Sequence, residues 1–291
     1  MTNKPETVGV IGAGVMGGGV AQCFAQAGHN VVLVDIAQDI LDKALSSVRE
    51  GLRLQKLLGT GRAVVVPGDA IARIHATVDY EALSDCSFIV ENATEDWEIK
   101  RAVYARLAAL SRADCVVAAN TSAFSITRIG RALGRPAHTL GLHFMNPVPM
   151  KPVVELIRGY HTSDATVTYA QDLLATLGKR CITVNDSPGF VSNRVLMLTV
   201  NEAAFLVHEG VSNASDIDEL FRECFGHKMG PLATADLIGL DTVLQSLHVL
   251  YDSFADPKFR PCPLLTKLVD AGLHGRKTGR GFHAYAKEVN R

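Results

Sequence analysis

Val8-Gly9-Val10-Ile11-Gly12-Ala13-Gly14-Val15-Met16-Gly17 is the stretch that decides the fold. A short apolar run ends in glycines, and Val15 to Ala27 can continue as a helix. The G-x-G-x-x-G spacing is informative only between a strand and a helix, and that is its setting here. Gly12 permits a tight turn, Gly14 lets the backbone approach a pyrophosphate, and Gly17 lets the helix pack close to the sheet. The helix start adds N–H groups and a favourable dipole for phosphate oxygens. Gly12, Gly14, Met16 and Gly17 are therefore candidate dinucleotide contacts.

Val31 to Val34 form a second apolar run, closed by Asp35. An acid about 20 residues after the glycines is placed to bond a ribose 2′-OH. Its charge would repel a 2′-phosphate, so NAD is favoured over NADP. A flavin is the other occupant such a turn accepts.

Further out, Phe88 to Val90, Cys115 to Ala118 and Thr139 to Leu142 read as buried strands. Ile40 to Leu58 and Lys100 to Leu110 read as helices between strands. Continuous apolar strands alternating with helices predict an α/β, Rossmann-type, mostly parallel sheet covered on both faces. Past residue 185 strand signals nearly vanish. Phe190 to Val207, Ser215 to Cys224, Leu240 to Phe254 and Leu264 to Ala271 read as helices. The turn-rich Asn185-Asp186-Ser187-Pro188-Gly189 marks a boundary. The expected organisation is a cofactor-binding domain over 1–185 and an all-helical domain over 186–291.

The chain of 291 residues is 47% hydrophobic, enough for two modest cores. A net charge of -1 gives no global electrostatic case for nucleic acid or an anionic membrane surface. Six scattered cysteines, with no Cys-x-x-Cys pair, fit reduced thiols better than disulfides or a zinc site. No run approaches the roughly 18 apolar residues of a membrane span, and the polar start lacks a signal-peptide pattern. A cytoplasmic protein without a structural metal is expected.

Oxidising a secondary alcohol needs a base for the hydroxyl proton, and an imidazole is suited to it. His143 ends an apolar strand, at the carboxyl edge where ligands bind in such sheets. Glu155 follows after a turn through Pro147 and Pro149. If the chain doubles back there, Glu155 can fix the imidazole tautomer and stabilise the imidazolium. On the residues alone, a core histidine and a surface glutamate is the competing reading.

Several segments together carry a resemblance. They are Gly12 to Gly17, Asn120-Thr121-Ser122, His143-Phe144-Met145-Asn146-Pro147 and Pro188-Gly189-Phe190 with Asn193-Arg194. Met229-Gly230-Pro231-Leu232, Gly239-Leu240-Asp241 and Gly275-Arg276-Lys277-Thr278-Gly279 complete the set. In this order they resemble the 3-hydroxyacyl-CoA dehydrogenase family over nearly the whole chain. The resemblance implies NAD-dependent oxidation of an L-3-hydroxyacyl thioester, with His143 and Glu155 as the catalytic pair. It implies that Ser122 and Asn193 bond the reacting oxygen, so the site would form between the domains. It places Glu95 and Lys100 on the nicotinamide-ribose side of NAD, with Asn120, Asn146 and Lys277 as further cofactor contacts. It also implies a homodimer, with 186–291 as the substrate and dimerisation domain.

Three departures bear on the substrate. Positions that hold the family's CoA-contacting serine and lysine read Gly51 and Leu58, with Arg53, Lys56 and Arg62 nearby. Pro152 interrupts the approach to Glu155, and Leu232 to Asp236 replaces a frequent Glu-Leu pair. Short-chain acyl-CoA such as 3-hydroxybutyryl-CoA is the first substrate reading. An acyl-carrier-protein thioester such as a glyceryl unit of polyketide biosynthesis is the second. A non-catalytic NAD-binding protein and a dehydrogenase of free hydroxy acids, with Arg194 as anion anchor, are the others.

Overall fold

Apolar strands that must bury both faces set the architecture of the first unit, seen in a computed structural model that describes residues 5–58, 66–122 and 124–285. Arg62 lies outside the described residues, as do the side chains of Lys56 and Leu58. The chain forms two compact units, Met1–Ser187 and Pro188–Arg291.

In the first unit the elements run β1 (Thr7–Ile11), α1 (Val15–Gln26), β2 (Asn30–Val34), α2 (Gln38–Leu58), α3 (Pro67–Ala72) and β3 (Ile74–Thr77). They continue through β4 (Phe88–Glu91), α4 (Trp97–Leu110), β5 (Val116–Ala119), α5 (Ile126–Leu133), β6 (Thr139–His143), β7 (Val153–Arg158), α6 (Asp164–Thr176) and β8 (Arg180–Asn185). One eight-stranded sheet has the order β3-β2-β1-β4-β5-β6-β7-β8. The first six strands are parallel, in the order of dinucleotide-binding sheets, which bears out the Rossmann-type expectation. β7 runs antiparallel to β6, and β8 runs parallel to β7.

Alternate strand residues divide between the two faces. Val8, Val10, Val31, Leu33, Phe88, Val90, Leu140, Leu142 and Leu156 join one core with Phe24 of α1, Leu41 of α2 and Leu173 of α6. Each such apolar side chain contributes about 1.5–3 kcal/mol on full burial. Right-handed crossovers put α4 and α5 on the opposite face. There Ile126 of α5 lies over Gly141, where a Cβ would sit 2.7 Å from its Cδ1.

Local chemistry starts and stops the helices. Asp96 caps α4 by accepting from the Glu98 and Ile99 N–H groups. Ser125 caps α5, and Gly134 ends it at φ 73°. Four strands and helices around the antiparallel edge, β7, β8, α5 and α6, were not resolved as elements by sequence pattern. β8 is an edge strand with mostly exposed or half-buried residues, so it has no apolar run to read.

The second unit holds α7 (Ser192–His208), α8 (Ala214–Phe225), α9 (Pro231–Ile238), α10 (Leu240–Phe254) and α11 (Pro263–Asp270). Met197, Val200, Leu232, Val243, Leu247, Phe259 and Leu265 form its core. Buried Asp218 of α8 caps α9 from a distance, accepting from Leu232 N at 2.8 Å and Ala233 N at 2.7 Å. Gly230 is required beside it, because a Cβ there would lie 2.3 Å from Asp218 Oδ1. Asp236 is also buried and accepts from Phe282 N, His283 N and Tyr285 Oη–H. The departure at that position thus builds a structural carboxylate. No helix of the described residues is long and apolar enough to cross a membrane.

Candidate active site

Each glycine of the turn after β1 has a distinct physical requirement. Gly12 has φ 86°, a region that favours glycine, and an added Cβ would sit 2.6 Å from Asn92 O. At Gly17 a Cβ would sit 1.7 Å from Gly12 O, so helix and turn meet there by backbone. At Gly14 a Cβ would meet nothing within 4 Å. That open space faces the start of α1, which no side chain caps and which carries no acid in its first turn. Val15 beside it is 78% exposed, whereas Met16 is half-buried against the core. An exposed, uncapped, glycine-lined helix start fits a pyrophosphate. Asp35, just past β2, accepts from Ala13 N and from Ile36 N at 2.7 Å, so it braces the turn it borders. These residues fit NAD.

Three loops at the carboxyl edge extend the cradle. Asn92 N donates to Ile11 O after β4, and Asn120 Nδ2 after β5 donates to Asn92 Oδ1 at 2.7 Å. Asn120 Oδ1 accepts from Phe144 N at 3.2 Å, which ties the loop after β5 to the end of β6. Asn146 is exposed in the loop beyond it. Lys179, almost fully buried, donates to Val148 O and Lys151 O, both at 2.7 Å, and so holds the turn between β6 and β7.

A buried ion cluster backs this edge. Glu91 and Lys100 are both 0% exposed. The Lys100 ammonium lies 3.0 Å from each Glu91 oxygen, 3.2 Å from Ala93 O and 3.5 Å from Glu95 Oε2. Glu91 also accepts from Ala93 N at 2.6 Å and from the Tyr104 hydroxyl. Burial pushes the Glu91 carboxyl above its ordinary range, against the pull of the Lys100 charge and these hydrogen bonds. Burial and the Glu91 charge push the Tyr104 hydroxyl well up. Glu95 Oε1 accepts from Thr121 Oγ1–H at 2.5 Å and from Ser122 N at 2.9 Å.

The register of β6 and β7 pairs His143 directly with Glu155. The chain does double back, and the reversed β7 brings Glu155 to the same edge as the imidazole. His143 Nδ1 lies 3.1 Å from Glu155 Oε2, and both residues are 8% exposed. Ser122 Oγ lies 2.9 Å from His143 Nε2. A carboxylate only accepts, so the pair assigns the proton to Nδ1 and leaves Nε2 as the acceptor. This array is a hydroxyl, a base and an orienting acid in sequence, the geometry of proton transfer at an alcohol.

Asn193 and Lys277 belong to the second unit. Asn193 is half-buried in the first turn of α7. Lys277 pairs with Asp241 at 2.6 Å. Arg194 stacks over the Phe254 ring at 4.3 Å. Sequence reasoning missed Glu91, Asn92 and Tyr104. Glu91 ends an apolar strand, and a charge at that place is the signal that was available. No cluster of metal-ligand type occurs among the described residues.

Comparison with known proteins identifies the family. Residues 7–187 match the family described as 3-hydroxyacyl-CoA dehydrogenase, NAD binding domain. Residues 189–285 match the C-terminal domain of the same family. A probable 3-hydroxybutyryl-CoA dehydrogenase of Deinococcus radiodurans is 45% identical over 277 residues, 95% of this chain and 99% of that protein. A 3-hydroxybutyryl-CoA dehydrogenase of Bradyrhizobium diazoefficiens is 44% identical, over 96% of this chain and 95% of its own. The crystal structure of (S)-3-hydroxybutyryl-CoA dehydrogenase from Ralstonia eutropha superposes with a TM-score of 0.92 at 42% identity, covering 98% of this chain and 100% of that one. With an NAD-binding sheet unit, a helical unit and the His143–Glu155 pair in place, the chain belongs to the 3-hydroxyacyl-CoA dehydrogenase family.

Proposed function

We propose that this enzyme oxidises an L-3-hydroxyacyl-CoA of short chain, such as 3-hydroxybutyryl-CoA, to the 3-ketoacyl-CoA with NAD, or runs the reverse. The observation that carries this reading is the Ser122–His143–Glu155 array at the carboxyl edge of the glycine-turn sheet. Bound NAD supplies the acceptor for the hydride that leaves C3. His143 Nε2 takes the hydroxyl proton, and the Glu155 carboxylate stabilises the imidazolium that results. Ser122 Oγ bonds the same oxygen as it becomes a carbonyl. Asn193 offers a second donor to it. Glu95 is the nicotinamide-ribose contact, with Lys100 behind it, and Asn120, Asn146 and Lys277 are further cofactor contacts. Asp35 selects NAD over NADP.

The CoA thioester is supported by relatives of 40–45% identity that are all named for 3-hydroxybutyryl-CoA. The carrier-protein thioester finds no such support. A homodimer through the second unit and a cytoplasmic location belong to the same reading. The first is supported by exposed Val195, Leu220 and Phe225, and the second by six unpaired thiols.

The test is NADH oxidation with acetoacetyl-CoA, run beside NAD reduction with a glyceryl-loaded carrier protein and with free hydroxy acids. Turnover of the CoA substrate is expected. Turnover of a free hydroxy acid alone would replace this reading.

A further inference from the structure

Lys100 has no exposed surface, yet it carries a charge next to two carboxylates. A buried ammonium needs compensation, and the way it is divided decides where each acid sits. Glu91 takes the larger share, with both oxygens 3.0 Å from Nζ. Tyr104 and Ala93 N complete the Glu91 shell, so that carboxylate cannot turn away. Glu95 is held at 3.5 Å, the longer contact, and keeps its other oxygen for Thr121 and Ser122 N. Ser122 in turn reaches His143 through its hydroxyl.

We propose that Glu91, locked by Tyr104, is a positioning residue: by neutralising Lys100 it leaves Glu95 on the Ser122 backbone, and so sets the Ser122 hydroxyl against His143. The inference rests on the dehydrogenase reading of this site and adds two residues to it, neither of which touches a ligand. Without the Glu91 charge, Lys100 has Glu95 as its one carboxylate among the described residues. The stronger attraction draws Glu95 off the Ser122 N–H, and the hydroxyl loses its alignment. Glu91→Gln keeps the shape of the side chain and removes the charge.

A double-mutant cycle separates this role from core stability. Turnover at saturating NAD and acyl-CoA would be measured for Glu91→Gln, Ser122→Ala and the pair. Glu91→Gln alone should lose about tenfold in kcat, but less than about twofold in the Ser122→Ala background. Equal losses in both backgrounds, or an unchanged rate for Glu91→Gln, would overturn the proposal. Tyr104→Phe removes one hydroxyl and keeps the ion pair. Its smaller loss, about threefold, should vanish in the same background, and it decides the question if Glu91→Gln fails to fold. Wild-type enzyme inert on every thioester would instead refute the dehydrogenase reading, leaving the two failures distinct.

Discussion

The proposed role of His143 as a base rests on two neighbours that it does not adjoin in sequence. Glu155 faces Nδ1 from the neighbouring strand, and Ser122 meets Nε2 from the loop after β5. His143→Gln should lower kcat by about 10²–10⁴-fold and leave NAD affinity near the wild-type value, as loss of a general base does. Glu155→Gln keeps the histidine but loses the charge that steadies an imidazolium, so a fall of about 100-fold is expected. Steady-state kinetics with titration of NAD checks both, and full activity in His143→Gln would remove it from the mechanism. The thiols make a second residue-level prediction. Burial pushes Cys23, Cys115 and Cys181 up to about 11 and Cys86 up to about 12, and also raises Cys262. A raised thiol pKa means less thiolate near neutral pH, and reactivity returns only as pH nears those values. Exposed Cys224 should therefore be the one thiol that alkylates quickly in the native protein. All six should react after denaturation, as counted by mass spectrometry. Of these residues, the histidine and its acid were legible as candidates from chemistry and strand position, and as a pair through the family resemblance. The Glu91–Lys100–Tyr104 cluster was not, since nothing local marks which charges are buried together.

The turn after β1 shows what an element adds to a motif. Gly14 and Gly17 look alike in sequence, yet one borders open space and the other touches backbone. Gly14→Ala should fold with a melting temperature close to wild type but weaken NAD binding about tenfold, the equivalent of ~1.4 kcal/mol. Gly17→Ala should fail at the level of folding, because its Cβ would overlap Gly12 O. Thermal melts and NAD titration of the two variants test this contrast, and equal behaviour would contradict it. The parallel strands β1, β2, β4, β5 and β6 were readable because burial on both faces demands unbroken apolar runs. β8 was not, for it lies at the sheet edge and each of its residues is exposed or half-buried. β7 was foreseen only as a doubling back toward Glu155. Val153-Val154 and Leu156-Ile157 give it an apolar run, but its antiparallel pairing with β6 and parallel pairing with β8 are set by the packed sheet.

At the scale of the whole molecule, the apolar surface of the second unit is the feature to explain. Val195, Leu220 and Phe225 are 60%, 56% and 68% exposed, and the proposed homodimer would cover such apolar side chains. Sedimentation or light scattering should find twice the 31.2 kDa chain mass. A purely monomeric mass at every concentration would refute the homodimer. The sequence by itself determined the fold class and the glycine turn, and it offered Asp35 and His143 as candidates for cofactor choice and proton transfer. Those depend on residue type and on periodicity, which are local. Tertiary structure decided which side chains share a site. The reversed strand β7 set Glu155 opposite His143, and one buried ammonium was divided between Glu91 and Glu95. Register and burial are properties of the packed chain, where a charge is defined by what surrounds it and not by its place in the sequence.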